Sequence, residues 1–468
     1  MRSDGLPAAL DRFTEVWVVD FEFLAHSGER PVPICCVARE LRSRCEMRLW
    51  GRALNTPLPI SNDSVLVAYY APAELGCYQA LGWSPPAQVL DLFAEFRVFS
   101  NGRDGTLGIR GASLLAALAH FGLSHLDPET KASWRQRILQ GPPYGDEDRQ
   151  GILDYCASDV IALEALIRPL VGRLQSRPKW VDHALLRGRY MKAVACMEHT
   201  GTPVDAETLL RLSARWGELK LALIDDLRAD YPFFVGPTLK LDLFERWLIE
   251  KSIPWPRTET GRLSLSHDTL KTMTRAYPEV APVREVRDNL AKLRITDLAV
   301  GRDGRNRCML SPLRAKSGRN APAASKFIFA PSVWLRCLIR PEPGRALAYI
   351  DFSSQEIGIA AALSGDVAMQ RAYSSGDPYM SFAIDSGMAP PGSTKGTHKA
   401  LRDRCKAVVL GTLYGMQETT LAASLGIKTA EARALLKAHR RTYGTFWEWT
   451  QRVTDSAMLL GYLDTVYG

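Results

Sequence analysis

Between Arg345 and Asp366 the hydrophobic period changes once, and that change limits what can be built around it. Ala346, Leu347, Ala348, Tyr349 and Ile350 form a short apolar run of the kind that makes a buried strand, and the run stops on an acid, Asp351. From Ser353 the pattern is helical. Ser353 with Glu356 three residues later reads as a capping box, and Ile357, Ala360, Ala361 and Leu363 supply an apolar face. The expectation is a strand that ends on a carboxylate and hands over to a helix.

A second pattern follows some fifty residues later. Arg402, Lys406, Leu410 and Tyr414 are successive i+4 positions, so on a helix they form one slowly drifting stripe that begins cationic and ends aromatic. Taken singly, a strand-end Asp is often a cap and a basic helix face is usually solvated. As an ordered pair, Asp351-Phe-Ser-Ser-Gln-Glu356-Ile and Arg402-Asp-Arg-Cys-Lys406-Ala-Val-Val-Leu-Gly-Thr-Leu-Tyr414-Gly resemble motifs A and B of family A DNA polymerases. The resemblance implies a metal on Asp351, a triphosphate on Arg402 and Lys406, and a sugar and base beside Tyr414 and Glu356, with Glu356 excluding a ribose 2′-hydroxyl. Leu410 stands where the family usually has Phe or Tyr, Tyr379 where it commonly has His, and Gly358 where an Arg is common.

Composition is that of an ordinary globular chain: 468 residues, 46% hydrophobic, enough for two to four domains. The net charge of +8 is concentrated. Residues 302–345 hold ten Lys or Arg against two acids, a surplus of eight that points toward a polyanionic partner. Within that segment Ser317-Gly-Arg319-Asn resembles the family's Thr-Gly-Arg signature, which implies a minor-groove contact for Arg319. Most of the other cations read as solvated surface. The nine cysteines show no Cys-x-x-Cys pair and their odd number fits a disulfide framework poorly, so a reducing cytoplasm is expected, which the resemblance implies is that of a bacterial or phage-infected cell. The N-terminus has no continuous apolar stretch, and no uncharged run is long enough to span a bilayer, so neither a targeting signal nor a membrane is expected.

In the first part of the chain, Val16-Trp-Val-Val-Asp20-Phe-Glu22-Phe reads as a strand, and its period of two points Asp20 and Glu22 the same way. Two like charges on one face repel unless water or a divalent cation neutralises them, and hard oxygen ligands suit Mg²⁺ or Mn²⁺. Later, Asp154 to Ile167 has helical periodicity, which places Tyr155 and Asp159 on one face. Asp-x-Glu followed by Tyr-x-x-x-Asp resembles the first and third motifs of the DnaQ-like 3′–5′ exonucleases. In that class carboxylates hold two metal ions and the tyrosine orients the attacking water. The middle motif departs from the pattern: in Val67-Ala-Tyr-Tyr-Ala-Pro-Ala-Glu74 the acid is Glu74 and Tyr70 replaces an Asn, while Asp91 competes for the same role or serves as a cap. The resemblance implies metal on Asp20, Glu22, Glu74 and Asp159.

From Gly201 onward the pattern is helical: Leu209 to Leu227, Leu241 to Lys251, and Val283 to Val300. The fold class expected is mixed α/β, a ribonuclease H-like exonuclease domain at 1–187 followed by a partial thumb, palm and fingers domain at 188–468. The thumb is expected at about 200–300, the palm strand at about 345–352 and the fingers at about 366–460. The family's motif C, a His-Asp-Glu-like turn, is not in the sequence, and with it the C-terminal palm is expected to be absent. Asp351 would then need a second carboxylate from elsewhere, such as a second polypeptide, and the chain alone should not polymerise DNA efficiently. The expected function is a proofreading DNA polymerase acting on primer-template DNA and deoxynucleoside triphosphates through two-metal sites. The alternatives are a stand-alone 3′–5′ exonuclease whose polymerase half only binds DNA, or a non-catalytic DNA-binding remnant.

Overall fold

The strand that carries Asp20 and Glu22 lies in the middle of a sheet, which explains its apolar character on both faces. In the computed structural model β1 (Val16–Leu24) runs antiparallel to β2 (Val32–Glu40), which pairs with β3 (Glu46–Trp50). On its other side β1 runs parallel to β4 (Val65–Ala68), and β4 to β5 (Gln88–Asp91), giving the order β3-β2-β1-β4-β5. The structure describes every residue except 1–4, 102–107, 109–110, 125–126, 229, 293–297, 330–332 and 467–468.

Period two divides the strand between two cores. Val16 and Val18 bury among residues of α2 (Leu92–Ser100), α3 (Leu114–His120) and α5 (Asp146–Leu174), with α4 (Pro128–Gln140) packed on the same side. Trp17, Val19 and Phe21 bury on the other face against α1 (Ala71–Ala80) and α6 (Trp180–Thr200). The close approach of α6 to β5 requires a glycine: a Cβ on Gly188 would lie 1.9 Å from the Val89 carbonyl oxygen. Nearby, the buried Glu95 carboxylate accepts from Arg187 Nε (2.6 Å), Arg187 Nη2 (2.8 Å) and Trp180 Nε1 (2.7 Å), which ties α2 to α6.

The chain divides into two compact units, 1–347 and 348–467, and residue 187 lies inside α6. After α6 the first unit continues through β6 (Thr202–Pro203), α7 (Ala206–Ala214) and α8 (Trp216–Arg228). The single amphipathic helix expected from Leu209 to Leu227 is broken at Arg215, where Trp216 turns to stack on Trp334. An aromatic core of Phe233, Phe234, Phe244 and Trp247 gathers the hairpin β7 (Phe234–Val235) and β8 (Thr238–Leu239) with α9 (Leu241–Glu250), α10 (His267–Ala276) and α11 (Ala281–Lys292). The helix expected to reach Val300 ends earlier: Val300 is extended and bridges to Asn306 beside β9 (Arg305–Asn306).

The basic segment is stitched into the first unit. Arg307, buried, donates to the carbonyls of His199 and Gly28 and pairs with Asp303, while Arg302 pairs with Glu29, Arg340 with Asp205, and Arg305 and Arg345 with Glu342. Five of the segment's ten cations are therefore paired with acids of the same unit.

The second unit is helical: α12 (Gln355–Ser364), α13 (Val367–Ser374), α14 (Pro378–Asp385), α15 (Lys399–Leu413), α16 (Glu418–Leu425), α17 (Thr429–Thr442) and α18 (Gly444–Leu460). They close around Met369, Phe382, Val408, Val409, Tyr443 and Phe446. Two expectations for the approach to α12 fail. The run Ala346 to Ile350 is not a buried strand but exposed coil, with Tyr349 86% and Ile350 89% accessible. A strand needs a ladder partner, and the described residues of this unit contain none. Nor is there a capping box at Ser353 and Glu356: the N-cap is Ser354, in the left-handed region (φ 47°) and without a side-chain cap bond.

Candidate active sites

Asp20 and Glu22 occupy the same face of β1 as Val16 and Val18, and this face looks at α5, where Tyr155 and Asp159 are one turn apart. The result is a convergence. Oxygens of Asp20, Glu22 and Asp159 lie within 4.8 Å of one another. The β1–β2 register shifts between Glu22 and Phe23, a bulge of the kind that re-aims side chains beside functional sites. Cys156, between Tyr155 and Asp159, donates its thiol to the Asp20 carbonyl at 3.3 Å and fixes α5 against the strand.

Glu74 enters from α1. The turn before that helix is held by Asp91, whose Oδ1 accepts from Tyr70 N (3.0 Å) and Phe93 N (2.9 Å) and whose Oδ2 accepts from Ala71 N (2.8 Å). Tyr70 takes a left-handed conformation there (φ 71°). Asp91 is thus the N-cap of α2 and the clamp on α1, with its oxygens spent on backbone N–H groups. Glu74, in the first turn of α1, is buried, accepts from the Phe21 N–H, and feels the charges of Asp20 and Glu22. Of the two competing acids, only Glu74 is left for a ligand.

Electrostatics confirm the strain of this assembly. Asp20 is pushed up to about 8, by loss of solvent first and then by Asp159. Glu22 rises well above the usual carboxylate range through burial and then Asp20, and Glu74 does so through burial, Asp20 and Glu22. Burial and the neighbouring carboxylates also raise Tyr155. Asp20 Oδ2 and Glu74 Oε2 are enclosed without a hydrogen-bond partner. Desolvated hard oxygens with orphaned lone pairs fit a divalent cation such as Mg²⁺ or Mn²⁺. A residue that sequence reasoning missed is also present: Lys131 of α4 donates to both Asp159 oxygens, at 2.7 and 2.8 Å. Nothing in the local pattern around Lys131 marks it, because only the packing of α4 on α5 brings it to Asp159.

A cavity of about 500 Å³, which none of these acids lines, is bounded by Phe23, Tyr70 and Ala73 and by Glu198, Arg314 and Lys326. Glu198, raised to about 7 by burial, accepts from the Leu310 N–H at 2.6 Å and from the Tyr70 hydroxyl. Arg319 is exposed on a loop anchored to α2 and α6: Arg97 donates to the carbonyls of Leu313 and Arg314, Asn101 to that of Lys316, and Tyr190 to Asn320.

In the second unit, α15 turns Cys405, Val408, Val409 and Thr412 inward; Lys406 and Tyr414 are exposed, while Arg402 and Leu410 are partly buried. Tyr379 is the hub of its cationic end: Arg402 Cζ lies 5.2 Å and Lys406 Nζ 5.7 Å from its ring centroid. Arg402 Nε donates to Asp377 Oδ2 at 2.6 Å. At the aromatic end the Tyr414 hydroxyl donates to Glu356 Oε1, which joins α12 to the end of α15. Gly358 faces the Tyr373 ring, whose Cζ would sit 2.8 Å from an added Cβ. Asp351 stands on the exposed coil before α12.

Residues 239–468, which include every position of this stripe, match the model of DNA polymerase family A. That match covers just under half of the chain. Among relatives, the thermostable DNA polymerase I of Thermus thermophilus is 26% identical over 324 residues, 65% of this chain and 38% of the relative. The DNA polymerase of Mycobacterium phage L5 is 27% identical over 220 residues, 45% of this chain and 35% of the relative. The chain thus spans 38% of the length of the Thermus polymerase it matches. The fold is similar to that of the POL domain of Pol1 from M. smegmatis, solved in complex with DNA primer-template and dNTP: TM-score 0.71 at 18% identity, covering 97% of this chain and 76% of that one. The carboxylate cluster lies outside the family A match, N-terminal to residue 239.

Proposed function

We propose that this chain is a family A DNA polymerase that binds primer-template DNA and deoxynucleoside triphosphates for template-directed synthesis, and that its first unit is a metal-dependent 3′–5′ proofreading exonuclease. The observation that carries the reading is the convergence of Asp20, Glu22 and Asp159 within 4.8 Å, with Glu74 buried beside them. The sheet order β3-β2-β1-β4-β5 with a long helix across one face supports the ribonuclease H-like assignment. When bound, a pair of Mg²⁺ or Mn²⁺ ions supplies a water of lowered pKa and charge stabilisation for the leaving oxygen. Asp20, Glu22, Glu74 and Asp159 hold that charge, and the Tyr155 hydroxyl orients the water. The cavity lined by Phe23, Tyr70 and the cations Arg314 and Lys326 suits a nucleic-acid strand: bases stack and phosphates pair.

In the second unit Arg402 and Lys406 grip the triphosphate, with Tyr379 fixing their direction, and Tyr414 and Glu356 sense base and sugar. Arg402 must share its guanidinium between Asp377 and phosphate, and a bidentate fork can do so. Asp351 supplies a carboxylate for metal. Its place on an exposed coil favours a second reading, in which this half grips DNA and only the exonuclease is chemically active.

A gel assay on a labelled primer-template with Mg²⁺ separates these. Primer shortening without nucleotides, abolished by Asp20→Asn, is expected; its absence with both Mg²⁺ and Mn²⁺ would sink the exonuclease. Extension with deoxynucleotides supports polymerisation, whether by this chain or only when a second polypeptide adds a carboxylate. Shortening without extension leaves the second reading, and binding alone leaves a DNA-binding remnant.

A further inference from the structure

We infer that Lys131 is a tethered cation of the carboxylate cluster: it holds Asp159 when no metal is bound, and a divalent ion must displace it to take that carboxylate. The inference rests on the metal-site reading above.

Lys131 is 21% exposed and Asp159 15%, so the pair is largely sheltered from water, and its two contacts of 2.7 and 2.8 Å take both oxygens of the carboxylate. An ammonium bridging both oxygens uses one acceptor position on each and sets a positive charge against the carboxylate, so a divalent ion taking Asp159 meets its repulsion at close range. Its charge also reaches Asp20 and Glu22, where it opposes the repulsion among the acids. The Tyr155 ring lies 5.6 Å from Lys131 Nζ, so the ammonium stands among the residues of the proposed reaction centre rather than at its rim.

The helix that carries Lys131 is held mainly beyond that residue. In α4 Ile138 is buried and Trp134 packs against the same core, while Leu139 is exposed. Its C-terminal half is anchored separately: Arg137 pairs with Asp148 at 2.7 and 2.9 Å and donates to the carbonyls of Gly141 and Pro143. At the N-terminal end Asp127 caps Glu129 and Thr130, which keeps the first turn helical without tying it to α5. Lys131 can therefore leave Asp159 while the rest of α4 stays in place.

Two measurements on the full chain test this. Mn²⁺ is titrated in and the free ion followed by electron paramagnetic resonance, for wild type and Lys131→Met. The variant should bind about tenfold tighter, the scale on which groups next to a metal ligand act. Binding of equal or lower affinity in the variant overturns the role of Lys131 and leaves the metal site standing. No binding in either protein overturns the metal site itself. The second measurement needs no variant: acetylation of wild-type Lys131 by an amine-reactive ester, read by mass spectrometry, should rise several-fold with saturating Mn²⁺. Unchanged or reduced labelling sinks the displacement.

Discussion

Two acids compete for one role at residue scale, and their hydrogen bonds decide between them. Asp91 has its oxygens engaged by the N–H groups of Tyr70, Ala71 and Phe93, whereas Glu74 keeps an orphaned Oε2. Asp91→Ala should therefore cost about 1–3 kcal/mol of stability, the loss of a cap together with the N–H groups it leaves unpaired. Glu74→Gln still offers an oxygen to the Phe21 N–H and removes a buried charge, so its melting temperature in EDTA should be no lower than that of wild type. Its Mg²⁺-dependent primer shortening should be lost. Thermal melts and the gel assay on both variants check the split; the opposite pattern would exchange the two assignments.

Buried polar pins join the elements, and each gives a measurable prediction. Glu95 has lost its water and depends on Arg187 and Trp180, so Arg187→Leu strands a buried carboxylate and should cost about 3–5 kcal/mol in denaturant unfolding. Adding Glu95→Leu should return part of that loss. In the second unit His439 is fully buried on α17: Trp447 Nε1 donates to its Nδ1 at 3.0 Å, so Nε2 carries the proton and donates to Thr412 Oγ1 at 3.3 Å. Burial lowers this imidazole to about 3. Between there and its ordinary value of 6.5 the unfolded chain binds more protons than the folded one, so stability rises with pH across that window and is lost as pH falls through it. Melts from pH 7 to pH 4 should decline more steeply for wild type than for His439→Gln.

For the whole molecule, the chain passes from one compact unit to the other through a coil whose apolar side chains are exposed. Leu347, Tyr349 and Phe352 lie in that coil, so brief chymotrypsin treatment should cut there first and release fragments close to 1–350 and 350–468. Cleavage inside the helices α12 to α18 instead would contradict the division. The stitching of Arg302, Arg305, Arg307, Arg340 and Arg345 to acids of the first unit also changes the meaning of the basic segment. Five of the ten cations have acidic partners within the unit, so fewer remain for phosphates than the count implies.

Strand β1 and the helix around Tyr155 and Asp159 were legible in the sequence because period two and period 3.6 depend only on near neighbours. The same local geometry made the Arg402 to Tyr414 stripe legible. What could not be read were choices made by distant partners: whether Ala346 to Ile350 finds a ladder, whether Glu356 caps its own helix or meets Tyr414, and which acid Lys131 neutralises. The sequence by itself determined which residues share a face. Tertiary structure decided which faces meet, since hydrogen-bond partners and loss of water come from residues far along the chain, and those settle whether a carboxylate is a cap, a counter-ion or a ligand.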